Sequence, residues 1–251
     1  GMVFVRGNRN DYERWENFGL KSWSYEKVLP YFKKIETWSG GENQYRGSLG
    51  PLPVNQSKND NPLFKAFINS ASEAGHTVNP DMNGEEQEGF GMFDTTIHEG
   101  QRASATKYYL NPAKKRKNLN IFSNSFVEKI IFEGKKAIGI EVKIKNKVEK
   151  VYAEKEVILS GGSINSPQLL MLSGVGNSDH LKEKGIDVVS DIKGVGRNLQ
   201  DHLETYIMQE CKTPDTLYTY TKLIPKVLAG IQWFLSKSGP CSQSYLEAGG
   251  F

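Results

Sequence analysis

The spacing of apolar and polar positions changes period several times along the chain, and each change predicts an element. Between residues 24 and 35, Val28, Leu29, Phe32 and Ile35 fall on one face at helical spacing, which predicts an amphipathic helix kinked or restarted at Pro30. Residues 36–61 lose that period and carry Gly40, Gly41, Gly47, Gly50, Pro51 and Pro53, which reads as a long loop of the kind that serves as a lid. A second helix is expected from Pro62, suited to a first helical position, to Gly75, with Leu63, Phe64, Phe67, Ile68 and Ala71 on its apolar face. From residue 118 to 142 the period falls to two. Leu119, Ile121, Val127, Ile130, Phe132, Ile138, Ile140 and Val142 alternate with polar residues, and Glu133-Gly134-Lys135 turns the chain, so strands are expected here and again over 147–152. A helix around 179–184 and a strand over 186–189 follow. The apolar residues Leu223, Ile224, Val227, Leu228, Ile231, Phe234 and Leu235 then form one helical stripe with lysines at both ends. That stripe suits a core-facing helix, with a membrane-surface helix as the alternative.

The other elements can be placed around residues 156–176, EVILSGGSINSPQLLMLSGVG. Val157, Ile158 and Leu159 are a short β-prone run, Gly161 and Gly162 mark the turn, and Ser166 with Pro167 suits a helix start closed by Gly174 and Gly176. A strand delivering two glycines and a helix start is how an α/β sheet brings backbone close to a dinucleotide, although most such corners bind nothing.

Composition narrows the function classes. The 251 residues carry 32 basic and 29 acidic side chains, a net charge of +3, well short of the single-sign field of a nucleic-acid-binding protein. The one basic run, KKRK at 114–117, suits an exposed corner better than a phosphate site. Cys211 and Cys241 are too few for a disulfide framework, and the glutamates of EEQEGFG lack histidine or a calcium-loop spacing, so no metal site is expected. Asp201-His202 has no nucleophile elbow to complete a triad. No charged-then-apolar leader opens the chain and no apolar run approaches 18 residues, so neither secretion nor a spanning helix is expected.

The string GGSINSPQLLMLSGVG resembles the second signature of the glucose-methanol-choline oxidoreductase family along its full length, and residues 1–15, GMVFVRGNRNDYERW, resemble the tail of the first. LPYF, GENQY, QEGFG, GVGRNLQDHLE and LEAGGF extend the resemblance to Phe251, with Lys193 standing where the family usually has proline and Arg197 where it often has glutamate. The resemblance implies an α/β fold, α+β over its whole, in which a Rossmann-like parallel-sheet domain binding FAD is interleaved with an antiparallel-sheet substrate domain. Residues 1–58 and 101–240 would belong to the flavin side, and 59–100 and 241–251 to the substrate side. The backbone of Gly1, Met2 and Val3 would pass the flavin ring, Val127 would hold the adenine, and Gly161 and Gly162 would approach the dinucleotide. Glu247 would stand near a substrate ammonium, although a structural glutamate at a helix end or sheet edge is an equal reading. The implied activity is FAD-dependent oxidation of an alcohol, choline first, to the aldehyde used for betaine synthesis. Electrons would go to a respiratory-chain or other acceptor, in the cytoplasm or at the inner-membrane surface. Another alcohol, or a non-catalytic descendant acting as a binding module, are the alternatives. The family's GxGxxG fingerprint would lie ahead of Gly1 and its catalytic histidine beyond Phe251. The chain is therefore expected to be a fragment, and no catalytic base is assigned among His76, His98, His180 and His202.

Overall fold

A computed structural model describes residues 1–57, 61–205, 210–213 and 215–251. The domain boundary expected between residues 58 and 59 lies outside the described residues. The chain divides into two compact units, Gly1–Leu119 with Gln209–Phe251, and Asn120–Met208.

The first unit begins with β1 (Val3–Phe4) and α1 (Arg9–Asn17), whose start is capped by Asn8 accepting from the Asn10 amide. The expected helix α2 (Tyr25–Ile35) runs through Pro30. Its apolar face packs against α1, where Tyr12, Tyr25 and Val28 are buried and Leu29 and Phe32 close over them. The stretch read as a loop over 36–61 holds two strands among its described residues, β2 (Glu36–Trp38) and β3 (Leu52–Gln56), which pair in parallel. The period-two signal fails since one inward position, Glu36, is a buried charge. Helix α3 (Pro62–Glu73) starts at Pro62 as expected, with Asn61 accepting from the Leu63 amide. Short strands follow: β4 (Phe90–Met92), β5 (Asp94–Thr95), β6 (Ile97–His98) and β7 (Gln101–Arg102). The largest sheet has the order β1-β5-β3-β2, with β1 on an edge. A single turn, α4 (Asn111–Ala113), precedes the second unit.

In the second unit β8 (Ser125–Glu133), β9 (Lys136–Ile144) and β10 (Lys147–Tyr152) form an antiparallel meander. Leu119 and Ile121 fall outside it. The run Val157–Leu159 takes no part in any ladder among the described residues, and Ile158 is 76% exposed. Helix α5 (Gly162–Leu172) begins four residues ahead of the expected Ser166 start. Gly162, at φ +85°, supplies the left-handed entry, and Ser166 turns its hydroxyl back to accept from the Gly161 amide at 3.0 Å. The expected strand over 186–189 forms slightly later, as β12 (Ser190–Asp191). It pairs in parallel with β11 (Val175–Gly176) across α6 (Ser178–Glu183).

The chain then returns to the first unit as α7 (Leu223–Ser236) and β13 (Ala248–Gly250), the latter antiparallel to β4. The apolar stripe of α7 does not face a core. Its seven residues are each more than half exposed, and the helix is held through buried Ala229 and through Trp233, whose indole N–H donates to the Gly100 carbonyl at 2.7 Å.

Candidate functional site

The first unit carries a half-open cavity of about 450 Å³, lined by Asn55, Thr95, His98, Lys237 and Glu247 among others. Glu247 is 4% exposed. Its backbone is tied to the sheet region by the Phe93 amide, which donates to the Glu247 carbonyl at 2.8 Å. Glycine at 249 lets β13 lie against the Phe93 ring, which any Cβ there would strike. The rim is built from backbone that side chains rarely tolerate. Glu99 (φ 51°) and Gly100 (φ 64°) form the two-residue turn joining β6 to β7, and Lys237 (φ 52°) ends α7 in the left-handed region. A Cβ on Gly100 would run into the Lys237 carbonyl, so the hairpin tip and the helix end meet only because residue 100 is glycine. The Lys237 ammonium lies 3.8 Å from the Trp233 ring centroid.

Thr95 connects this cavity to the start of the chain, being the register partner of Val3. The Met2 carbonyl accepts from the Thr96 amide at 2.7 Å and so points toward β5. Because the peptide is trans, the Val3 N–H points the opposite way, off a sheet edge that no strand among the described residues covers.

Beneath the same sheet lies a buried ionic cluster. Arg46, fully buried, bonds Glu36 (Nε–Oε1 3.0 Å), Asp81 (Nη1–Oδ1 2.6 Å) and Asp94 (Nη1–Oδ2 2.7 Å) while stacking 4.3 Å from the Trp38 ring centroid. Arg6 reaches the same Glu36 oxygen at 2.6 Å, and its Nε is buried with no partner among the described residues. Burial lowers the Arg6 pKa, although Glu36 opposes it. At Arg46 burial also pulls down, but the bond to Glu36 and the charges of Asp94, Glu36 and Asp81 outweigh it and the pKa rises. Asp81 goes the other way for a carboxylate, since burial raises its pKa against the pull of Arg46. Three carboxylates face two guanidiniums, so the cluster holds one more acid than base. Sequence reasoning missed this cluster. The only trace of it is a set of charged residues in stretches without period.

The residues singled out from sequence divide between the units. Gly1, Met2, Val3 and Glu247 belong to the first, and Val127, Gly161 and Gly162 to the second. Val127 pairs with Val142 beside a β-bulge that leaves Glu128 out of register, which frees backbone groups at that point. Gly161 and Gly162 stand at the exposed N-terminus of α5, whose first amides have no side-chain cap.

A family model described as GMC oxidoreductase matches residues 1–204. The chain belongs to the GMC oxidoreductase family. Within this GMC family, the chain is 49% identical over 251 residues to the oxygen-dependent choline dehydrogenase of Brucella ovis, covering 100% of this chain and 46% of that protein. It is 49% identical over 250 residues to the mitochondrial choline dehydrogenase of Homo sapiens, of which it covers 42%. Among solved structures, an FAD-dependent oxidoreductase from Chaetomium thermophilum superposes with a TM-score of 0.81 at 31% identity, over 96% of this chain and 45% of that one. The chain thus spans less than half the length of these relatives.

Proposed function

We propose that this chain supplies part of the flavin site and the charged wall of the substrate site of an FAD-dependent alcohol-oxidising enzyme, with choline as the substrate. The observation that carries the reading is the meeting, in one unit, of a buried carboxylate on a cavity wall and a free edge N–H one strand away. Each unit, taken by itself, offers backbone that suits the cofactor. In the first, the Val3 N–H stands at a sheet edge with no partner among the described residues and Gly1 has open space around its Cα; in the second, the bulge at Val127 and the uncapped α5 start offer backbone donors. When bound, FAD supplies the hydride acceptor. What the chain itself does is bind and orient. A quaternary ammonium offers no hydrogen bond, so it is held by charge. A carboxylate 4 Å from such a cation is worth about 4 kcal/mol at an effective dielectric of 20, against about 1 kcal/mol in bulk water, which is why the burial of Glu247 matters. The name choline dehydrogenase, carried by both relatives, supports choline as the alcohol.

The test is a chimera in which these 251 residues replace the matching segment of the Brucella ovis enzyme. It is expected to purify with FAD and oxidise choline, and Glu247→Gln should raise KM for choline by about tenfold, equal to about 1.4 kcal/mol, with flavin content unchanged. A chimera that folds without flavin would sink the reading.

The exposed stripe of α7 favours a second part of the proposal, contact with an anionic membrane surface that would place the enzyme beside a respiratory acceptor. Lys222, Lys226 and Lys237 flank the stripe with no acidic residue between them. No helix among the described residues is long and apolar enough to cross a membrane. Cosedimentation with anionic vesicles, lost in Leu228→Glu, is the expected result; no cosedimentation of the parent would remove this part.

A further inference from the structure

Asn83 is 4% exposed, and every polar group it owns is engaged. Its Oδ1 accepts from the Arg6 amide at 2.8 Å, and its Nδ2 donates both to the Phe4 carbonyl and to Asp94 Oδ2, each at 3.0 Å. Its own amide donates to Asp81 Oδ1 at 3.0 Å, and its carbonyl accepts from Arg6 Nη1 at 3.4 Å. A carboxamide in that position imitates a peptide. It offers one acceptor and two donors to β1 and β5 where ordinary ladder pairing has run out, since β1 pairs with β5 only at Val3 and Phe4. Because Oδ1 must face an amide and Nδ2 must face a carbonyl and a carboxylate, its orientation is fixed, and so is the position of the strand along its own axis. Asp94 is fixed in turn by Arg46 at 2.7 Å and by the Trp38 indole N–H at 3.1 Å. The buried ionic cluster is therefore the anchor, and Asn83 is the link between it and the strand that carries Gly1, Met2 and Val3.

We propose that Asn83 is a positioning residue for the flavin: it sets the register of β1 and thereby where the Val3 N–H stands. This rests on the reading that β1 passes the flavin. Losing it would slide or loosen the strand while Glu247 keeps its own backbone tie to the Phe93 amide.

Two measurements separate the parts of this inference. In the 251-residue chain, hydrogen exchange at the Arg6 amide reports the bond to Asn83 directly; Asn83→Leu should speed it by about tenfold or more while the meander β8–β10 keeps its protection. In the chimera described above, the same substitution should shift the flavin midpoint potential and absorption band and lower kcat, with KM for choline held within about twofold. If Asn83→Leu does not fold, Asn83→Asp keeps the volume and the acceptor for Arg6 but has no donor for Phe4 and sets a second carboxylate against Asp94. It should move the flavin potential in the same way, and recover toward the parent value as the pH is lowered and the new carboxyl gains a proton to donate.

Unchanged exchange at Arg6 would overturn the proposal at its root. Faster exchange with a parental flavin potential and kcat would overturn it as well, while leaving the alcohol-oxidation reading intact. A parent chimera without flavin, by contrast, would condemn that reading whatever the exchange data show.

Discussion

Arg46 in the first unit and Ser173 in the second are both almost wholly removed from water, yet they organise their surroundings in different ways. Ser173 joins two elements. Its hydroxyl donates to the Leu169 carbonyl at 2.6 Å within its own helix and accepts from the Ile130 amide at 2.8 Å, which docks α5 on β8. Arg46 joins β2, β5 and the turn at Asp81, and through Glu36 it reaches Arg6 beyond β1. Around Ser173 the fold rests on ladder pairing and a few apolar side chains such as Ile130, Val142 and Leu181. Around Arg46 short irregular segments are held by charge, with no long ladder to keep them in place. The difference teaches where precision is needed. A cluster of paired charges has few alternative arrangements, because any one of them leaves an ion buried and unpaired.

The comparison breaks first at Arg46. Arg46→Ala takes from Asp94, 5% exposed, its one ion-pair partner among the described residues and leaves the fully buried Glu36 with Arg6 alone. The expected loss is about 3–5 kcal/mol of local stability. Hydrogen exchange resolves the two units, and the loss should appear in β2, β3 and β5 while β8–β10 are unaffected. A uniform loss across both would mean that the cluster is not a local anchor. A smaller effect is expected at Ser173→Ala. The Ile130 amide then loses its acceptor inside the second unit, which should cost about 1–3 kcal/mol, read as faster exchange at Ile130 alone. If Ser173→Ala proved as damaging as Arg46→Ala, the contrast between the two ways of building would collapse.

Much of the fold was legible where apolar residues recur with a regular period. The helices α2, α3 and α7 and the meander β8–β10 follow the period of their hydrophobic residues closely, and Asn61-Pro62 marks a helix start by local chemistry alone. Two kinds of position escaped. The strands β2 and β3 hide because an inward position is filled by Glu36, whose burial depends on arginines that no local window contains. The run Val157–Leu159 reads as a buried strand because its residues are β-prone, but a strand exists only with a neighbour, and a pattern of side chains says nothing about which backbone lies alongside. The α7 stripe shows the same limit from the opposite side, since periodicity establishes an apolar face without saying what covers it. At the candidate site, Glu247 was singled out through family resemblance. Asn83 and Arg46 were not found, because their roles arise from hydrogen bonds between segments far apart in sequence.

The smallest expected effect sharpens the comparison most, because it asks how the surplus charge of the cluster is carried. Asp81 is the most exposed of its three carboxylates, with 17% of its side chain reached by solvent, and burial raises its pKa above the ordinary value of 3.8 despite Arg46. A carboxyl raised in the folded state opposes folding when ionised. That penalty is fully present at neutral pH, where both folded and unfolded forms are ionised. It is relieved as the pH falls through the raised folded value, since the folded chain takes up the proton first, and it is gone below the unfolded value. Asp81 should therefore add stability on acidification, the reverse of a salt-bridged aspartate with a depressed pKa. Asp81→Asn removes this proton uptake and leaves Arg46 one neutral acceptor. Urea unfolding of the first unit, followed by exchange at pH 7, 5 and 4, should show the parent gaining on Asp81→Asn as the pH drops. A parent that instead loses ground on acidification would mean that the attraction of Arg46 outweighs burial at Asp81.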